Sequence, residues 1–166
     1  MVTDDPLGAI ERELMLIGRH HLSPVHTKVP GALDRSAYVV LSRLEAGGPL
    51  TARGIADALT LEISTVTRQV GAMRRAGLVE RIPDPDGGPA HLLRPTGAGR
   101  RRLAADRAAY RGGIGRVLED WSDHDRAQLR DVLRRLNEDI EARQAQPWPR
   151  PDRSAAPSAA GSTAGR

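Results

Sequence analysis

Between positions 51 and 96 the side chains that could do chemistry are short hydroxyls and arginines: Thr51, then Ser64, Thr65, Thr67, Arg68 and Arg75, then Arg81, His91 and Arg94. Hydroxyl and guanidinium groups on one helix face donate hydrogen bonds without breaking covalent ones. Short hydroxyls allow close approach, and an arginine can reach the acceptor edge of a guanine or a phosphate. The same chain offers little to catalysis. Ser, His and Asp are present, but no nucleophile elbow, phosphate loop, HExxH or paired metal motif gives them roles. We expect no enzyme and no catalytic residue.

His20, His21 and His26 raise a second chemistry, because imidazoles are good zinc ligands. Adjacent histidines point to different faces of a helix, however, and His21 falls on an apolar stripe seven residues after Leu14. Packed or interface histidines are the better reading, and neither metal nor cofactor is expected. The chain has no cysteine, which excludes disulfides, thiolate metal sites and cysteine-based redox sensing.

The elements that would position the hydroxyls and arginines are legible around them. Thr51 caps a short helix whose buried side is Ile55, Ala56 and Leu59, and its first-turn amides could face a phosphate. Thr60 stands in the following turn, where glycine would relax the backbone most easily. A second helix over residues 62–76 turns Ile63, Val66, Val70 and Met73 inward, leaving Ser64, Thr65, Arg68 and Arg75 outside. Gly77 ends it. Residues 78–82 alternate as a strand, Asp84-Pro85-Asp86-Gly87-Gly88 is turn chemistry, and residues 90–94 can return antiparallel. This order is a helix-turn-helix followed by a β-wing, which would lay the second helix in a major groove.

Charge agrees with that reading. The net charge is only +4, yet residues 60–111 hold ten arginines and five carboxylates, while the remainder is nearly balanced. A positive excess at the reader and wing suits a phosphate backbone. Aromatics are scarce, with two Trp, two Tyr and no Phe, so the core must be aliphatic and base stacking on an aromatic sheet is not expected. The acidic start MVTDDP lacks a secretory signal, and no apolar run approaches a membrane span, so a cytoplasmic location without membrane contact is expected.

Flanking helices complete the chain. Pro6 opens a helix with Leu7, Ile10, Leu14 and Ile17 on one face, and Asp34 caps another that turns Ala37, Val40, Leu41 and Leu44 inward. Thr96 caps a long helix with a stripe from Leu103 through Tyr110, Ile114, Val117 and Leu118 to Trp121. Gly112-Gly113 falls inside it, where a bend or loose turn is expected. A last helix from Ser122 or Asp123 carries Leu129, Val132, Leu133, Leu136 and Ile140. Fifteen of the last twenty-two residues are Ala, Pro, Ser or Gly, a composition that cannot offset the entropy of ordering, so a disordered tail is expected, with Trp148 able to dock locally.

The segments GPLTARGIADAL, STVTRQVGAMRRAGLVER, the PDPD turn and LLRPTGAGR, in this order, resemble the MarR family of winged-helix transcriptional regulators. The resemblance extends more loosely over residues 5–144. It implies a mainly α fold with a small β-wing, built from a winged helix-turn-helix domain plus a helical dimerisation domain. Its parts would be an N-terminal dimerisation helix and loop (1–32), the DNA-binding domain (33–96), C-terminal dimerisation helices (97–144) and the tail (145–166). It further implies a homodimer on a pseudopalindromic operator in double-stranded DNA, and repression relieved by a small-molecule effector. The family's wing commonly carries Asp-x-Arg near its tip, whose arginine enters the minor groove; here Asp86 is followed by Gly87 and Gly88. That tip motivates an alternative, a winged-helix protein-interaction module with little DNA affinity.

Overall fold

The computed structural model describes residues 5–19 and 33–150. They form α1 (Pro6–Arg19), α2 (Arg35–Gly47), α3 (Ala52–Leu59), α4 (Ile63–Arg75), β1 (Val79–Pro83), β2 (His91–Pro95), α5 (Gly97–Val117) and α6 (Asp123–Gln144). His20, His21 and His26, and the chain beyond Arg150, lie outside the described residues. Four helices begin at a short polar side chain in extended backbone. Asp34, Thr51, Thr96 and Ser122 accept from the amides of Ala37, Gly54, Gly99 and Asp125 at 2.7, 2.9, 3.0 and 3.1 Å, satisfying donors that a helix start otherwise leaves unpaired.

The core is aliphatic apart from one methionine. Val40, Leu41 and Leu44 of α2 meet Ile55 and Ala56 of α3, Val66, Val70 and Met73 of α4, Val79 and Leu93 of the wing, and Leu103 of α5. These positions follow the helical and strand periodicities, with one exception. Ile63, expected inward, is 38% exposed. It is the first residue of α4, one turn before Val66, where α3 has already ended at Leu59.

Gly77, at φ 68°, closes α4: the Leu78 amide reaches back to the Met73 carbonyl at 2.9 Å and the Gly77 amide to Arg74 at 3.0 Å. The chain then enters β1, which pairs antiparallel with β2 from Val79 opposite Pro95 to Pro83 opposite His91. Leu50 adds a bridge to Leu93, tying the loop before α3 to the wing. At the wing's base the start of α5 is pressed against the end of α4. The Thr96 hydroxyl donates to the Gly77 carbonyl at 2.6 Å, and a β-carbon on Gly99 would stand 2.0 Å from the Leu78 carbonyl oxygen. Only glycine fits there.

Asp106 of α5 is 7% exposed and accepts the Leu33 amide at 3.0 Å, fastening α5 to the residues that lead into α2. Arg107 and Glu45 form an ion pair between the same two helices. Of the bend or loose turn expected at Gly112-Gly113, the loose turn does not occur, since α5 continues through both glycines. Two glycines weaken a helix by about 1 kcal/mol each, a cost that its continuous hydrogen-bond ladder absorbs.

No described residue of α1 or α6 is buried. Leu7, Ile10, Leu14 and Ile17 are 45–75% exposed, and Val132, Leu133 and Ile140 of α6 also face outward. Burial along α5 fades likewise, from Leu103 at 0% to Val117 at 61%. The stripes expected along these helices exist as sequence but find no cover among the described residues.

A further correction concerns the start of the tail. Residues 145–150, expected to be disordered, are held against the molecule. Ala145 caps α6 in the left-handed region at φ 52°, and the Thr60 hydroxyl donates to Gln146 Oε1 at 2.6 Å. Arg150 grips Glu141 with both terminal nitrogens, at 2.6 and 2.7 Å, and the Trp148 amide donates to the same carboxylate at 3.0 Å. The guanidinium holds the Glu141 carboxyl below the usual carboxylate range, against the opposing effect of desolvation. A folded pKa depressed in this way contributes stability that is fully present above the ordinary carboxylate range and is lost as pH falls below that range through the depressed value.

Candidate nucleic-acid interface

Helix α4 is fixed by Val66, Val70 and Met73 on its inner side, so the opposite side is dictated by geometry. At 100° per residue, Ser64, Arg68 and Arg75 lie on the outer line, Thr65 on one shoulder and Thr67 on the other. All five are exposed. Glu62, the residue before α4, makes no side-chain cap hydrogen bond, so its carboxylate does not occupy the first amides of the helix.

The wing meets the Thr67 shoulder. Arg81 pairs with Leu93, and Pro83 with His91, so Arg81 and His91 project on the sheet face that also carries buried Leu93. They join Thr67, Gly71, Arg74 and Ala52 around a cleft of about 350 Å³. A second cleft of about 510 Å³ continues along Gly71, Arg74, Arg75, Val79, Glu80 and Arg81. Arg74 therefore borders both. The reading from sequence passed over it in favour of Arg75, because periodicity alone sets Arg74 near the inner half of α4; the adjoining wing makes that position the wall of a groove.

The same register separates the two arginines at the wing's base. Arg94 pairs with Glu80 on the opposite face, and its Nε donates to Glu80 Oε1 at 2.8 Å. It lines neither of these clefts and already holds a carboxylate that borders the second, whereas sequence grouped it with Arg81 as open to phosphate. Thr51 stands at the start of α3, beside Ala52 of the cleft. Its hydroxyl oxygen accepts from Gly54, which leaves the hydroxyl hydrogen to donate. The wing tip carries no cation. The Asp86 amide donates to Asp84 Oδ1 at 3.0 Å and the Gly87 amide to the Asp84 carbonyl at 3.0 Å, a turn that needs Gly87 at φ 77°.

On the other shoulder of α4 lies a larger hollow of about 780 Å³, between the start of α2, α4 and the start of α5. Leu33, Ala37, Leu61 and Met73 give it apolar walls, and Thr65, Arg68, Gln69 and Arg102 give it donors. Gln69 Nε2 is buried there without a hydrogen-bond partner among the described residues. Arg102 Nε lies 3.2 Å from Asp106 Oδ1, an ion pair whose alignment does not make a hydrogen bond. Thr65 and Arg68 belong both to this hollow and to the outer face of α4.

Taken together, the arrangement has a helix presenting hydroxyls and arginine outward, a groove rich in arginine beside it, and, among the described residues, no constellation for bond making. That geometry suits a duplex read by hydrogen bonds and screened charge. Known proteins agree. The sequence model of the MarR family matches residues 33–87. An uncharacterized HTH-type transcriptional regulator of Bacillus subtilis (strain 168), YxaD, is 31% identical over 138 residues, covering 82% of this chain and 96% of YxaD. A MarR family protein from Bacillus stearothermophilus shares the fold with a TM-score of 0.72 at 24% identity, over 84% of this chain and 99% of that one. The PcaV transcriptional regulator from Streptomyces coelicolor, solved in complex with its natural ligand, superposes with a TM-score of 0.58 at 25% identity, over 83% and 95% of the two chains. The chain belongs to the MarR family, and is a winged-helix, DNA-binding regulator of transcription rather than an enzyme.

Proposed function

We propose that this protein is a homodimeric, sequence-specific repressor of the cytoplasm that binds a pseudopalindromic operator and is released from it by a small ligand. The observation that carries the reading is the outer face of α4, with Ser64, Thr65, Thr67, Arg68 and Arg75 exposed beside the Arg74, Arg81 and His91 groove. Arg68 reads a base edge, and Thr51, Arg74, Arg75, Arg81 and His91 hold the backbone. Arg94 contributes after exchanging Glu80 for a phosphate, and therefore less.

The dimer is supported by α1 and α6, whose apolar faces find no cover among the described residues. Two copies joined through them would set two α4 helices about one helical turn apart, roughly 34 Å. The ligand is supported by the 780 Å³ hollow, where buried donors of Gln69 and Arg102 suit a molecule with acceptor oxygens and an apolar body. Such a ligand would take Arg68 from the side and withdraw it from the groove. No helix of the described residues is long and apolar enough to cross a membrane.

Selection of bound sites from random duplexes tests the core of this reading. The expected product is an inverted repeat with half-sites about one turn apart, bound in a salt-dependent way. Failure to enrich any sequence would favour the alternative, a protein-interaction module, for which the acidic, cation-free wing tip speaks.

A further inference from the structure

Among the described residues the two non-glycine positions with positive φ are Thr60, at 53°, and Ala145, at 52°. They are far apart in sequence and meet at one place. Thr60 forms the turn between α3 and α4, and its hydroxyl donates to Gln146, the residue after Ala145. Both helices close in the same manner: the Leu61 amide reaches Ala56 at 2.9 Å, and the Gln146 amide reaches Glu141 at 3.1 Å. A backbone held in a disfavoured region at one end of the contact and at the residue just before its other end indicates that the contact is over-determined by its surroundings. Beyond it, Pro149 lies against Gly47 at the end of α2, so close that a β-carbon on Gly47 would stand 2.9 Å from Pro149 Cγ. Glu141 then secures the segment, accepting from Trp148 and from both terminal nitrogens of Arg150. The side chains of this ion pair are only 27% and 18% exposed.

We propose that residues 146–150 are a strap that latches the end of α6 to the DNA-reading lobe at Thr60 and Gly47, with the Glu141 and Arg150 ion pair as its buckle. Helix α6 has no buried residue of its own, so the strap is what fixes its end relative to the α3 and α4 turn. Thr60 is a threonine where glycine would be easier because its hydroxyl is the strap's anchor. With the strap fastened, the reader keeps one orientation relative to the helical arm; with it loose, the reader moves. The effect on DNA rests on the proposed dimeric binding of two half-sites, whereas the strap itself does not.

The test uses the full chain, with Arg150→Ala and Glu141→Gln to open the buckle and Thr60→Gly to remove the anchor while relaxing the turn. Hydrogen exchange at the Thr60 and Leu61 amides reads the strap in free protein. Arg150→Ala and Glu141→Gln are expected to exchange there about fivefold to thirtyfold faster, the range that loss of one charged contact gives, and Thr60→Gly, which loses a neutral hydrogen bond, faster by less. Thr60→Gly is the sharpest of them, because a turn with no strap would become more protected when glycine replaces threonine. Unchanged exchange in Arg150→Ala and Glu141→Gln, or slower exchange in Thr60→Gly, overturns the strap. Binding to duplexes whose half-site spacing is varied by one base pair reads its consequence: the native protein should discriminate, and the variants should discriminate less. Faster exchange with an unaltered spacing profile overturns the control of the reader. If the native protein binds no spaced site, the dimeric reading fails, and the exchange result still decides whether the strap exists.

Discussion

Replacing Gly88 by arginine tests whether the wing reaches the minor groove of DNA. The tip offers two glycines, and they are not equivalent. Gly87 sits at φ 77°, where a side chain is strained whatever the space, so it must stay. Gly88 has no such φ, and the nearest obstacle to a β-carbon is the Asp84 side chain, whose Oδ2 would be 2.5 Å away. Asp84 can rotate aside. Doing so gives up its hydrogen bond from the Asp86 amide, about 1 kcal/mol, which is small against a typical domain stability of roughly 5–15 kcal/mol. The new guanidinium then stands beside Asp84 and Asp86 at a tip that otherwise presents only negative charge. One added phosphate contact should steepen the plot of log affinity against log salt by about 0.9, so that raising salt from about 50 to 200 mM costs Gly88→Arg roughly threefold more affinity than the native protein. Fluorescence anisotropy over that range, with Gly88→Gln as an uncharged control, measures it. Affinity should also rise most where A·T pairs flank the half-sites, since their narrow minor groove concentrates negative potential. If folded Gly88→Arg keeps the native slope and flank preference, the wing does not approach the groove.

Other outcomes follow from the same geometry. Arg68→Ala should lose about 1–3 kcal/mol of specific binding with discrimination relaxed at one base pair, whereas an equal loss on all sequences would assign Arg68 to phosphate. Arg81→Ala should reduce the salt slope by about 0.9, and Arg94→Ala by much less because its guanidinium already holds Glu80; equal slopes would contradict the face assignment. Charged residues at Leu133 and Leu136 should shift sedimentation toward monomers and weaken operator binding together, and a folded native monomer at micromolar concentration would refute the interface. Gly99→Ala should lose at least about 1–3 kcal/mol, because the new methyl meets the fixed Leu78 carbonyl, and thermal unfolding without a lowered Tm would show that the joint can open.

The helices and the wing were legible because their cues are local. Asp34, Thr51, Thr96 and Ser122 announce helix starts through side chains that bond three residues away, and Val66, Val70 and Met73 repeat at the helical period. What escaped depends on neighbours that the local pattern does not name. The different fates of Arg81 and Arg94 follow from strand register, which separates them onto two faces although both read as polar positions of one wing. Arg74 became a groove wall only once the wing folded beside it. Asp106 showed no signal at all, since its partner is the Leu33 amide, 73 residues earlier. Composition suggested a tail with nothing to hold it, yet Gln146 meets a hydroxyl 86 residues away. Ile63 erred in the opposite direction, because periodicity extends a stripe past the point where the neighbouring helix stops.

The unbroken course of α5 has a mechanical side. At 1.5 Å per residue its 21 residues make a stiff rod about 32 Å long, set at one end into the joint formed by Gly99, Leu78 and Thr96. A tilt of roughly 6° at one end of such a rod displaces the other by about 3.4 Å, the rise of one base pair. A hinge at Gly112 and Gly113 would have dissipated that motion; a continuous helix delivers it. In the proposed dimer, small rotations where helices pack would become whole base-pair errors at the reader, and a ligand that opened the hollow beside α4 by only a few degrees would put the second half of the proposed operator out of reach.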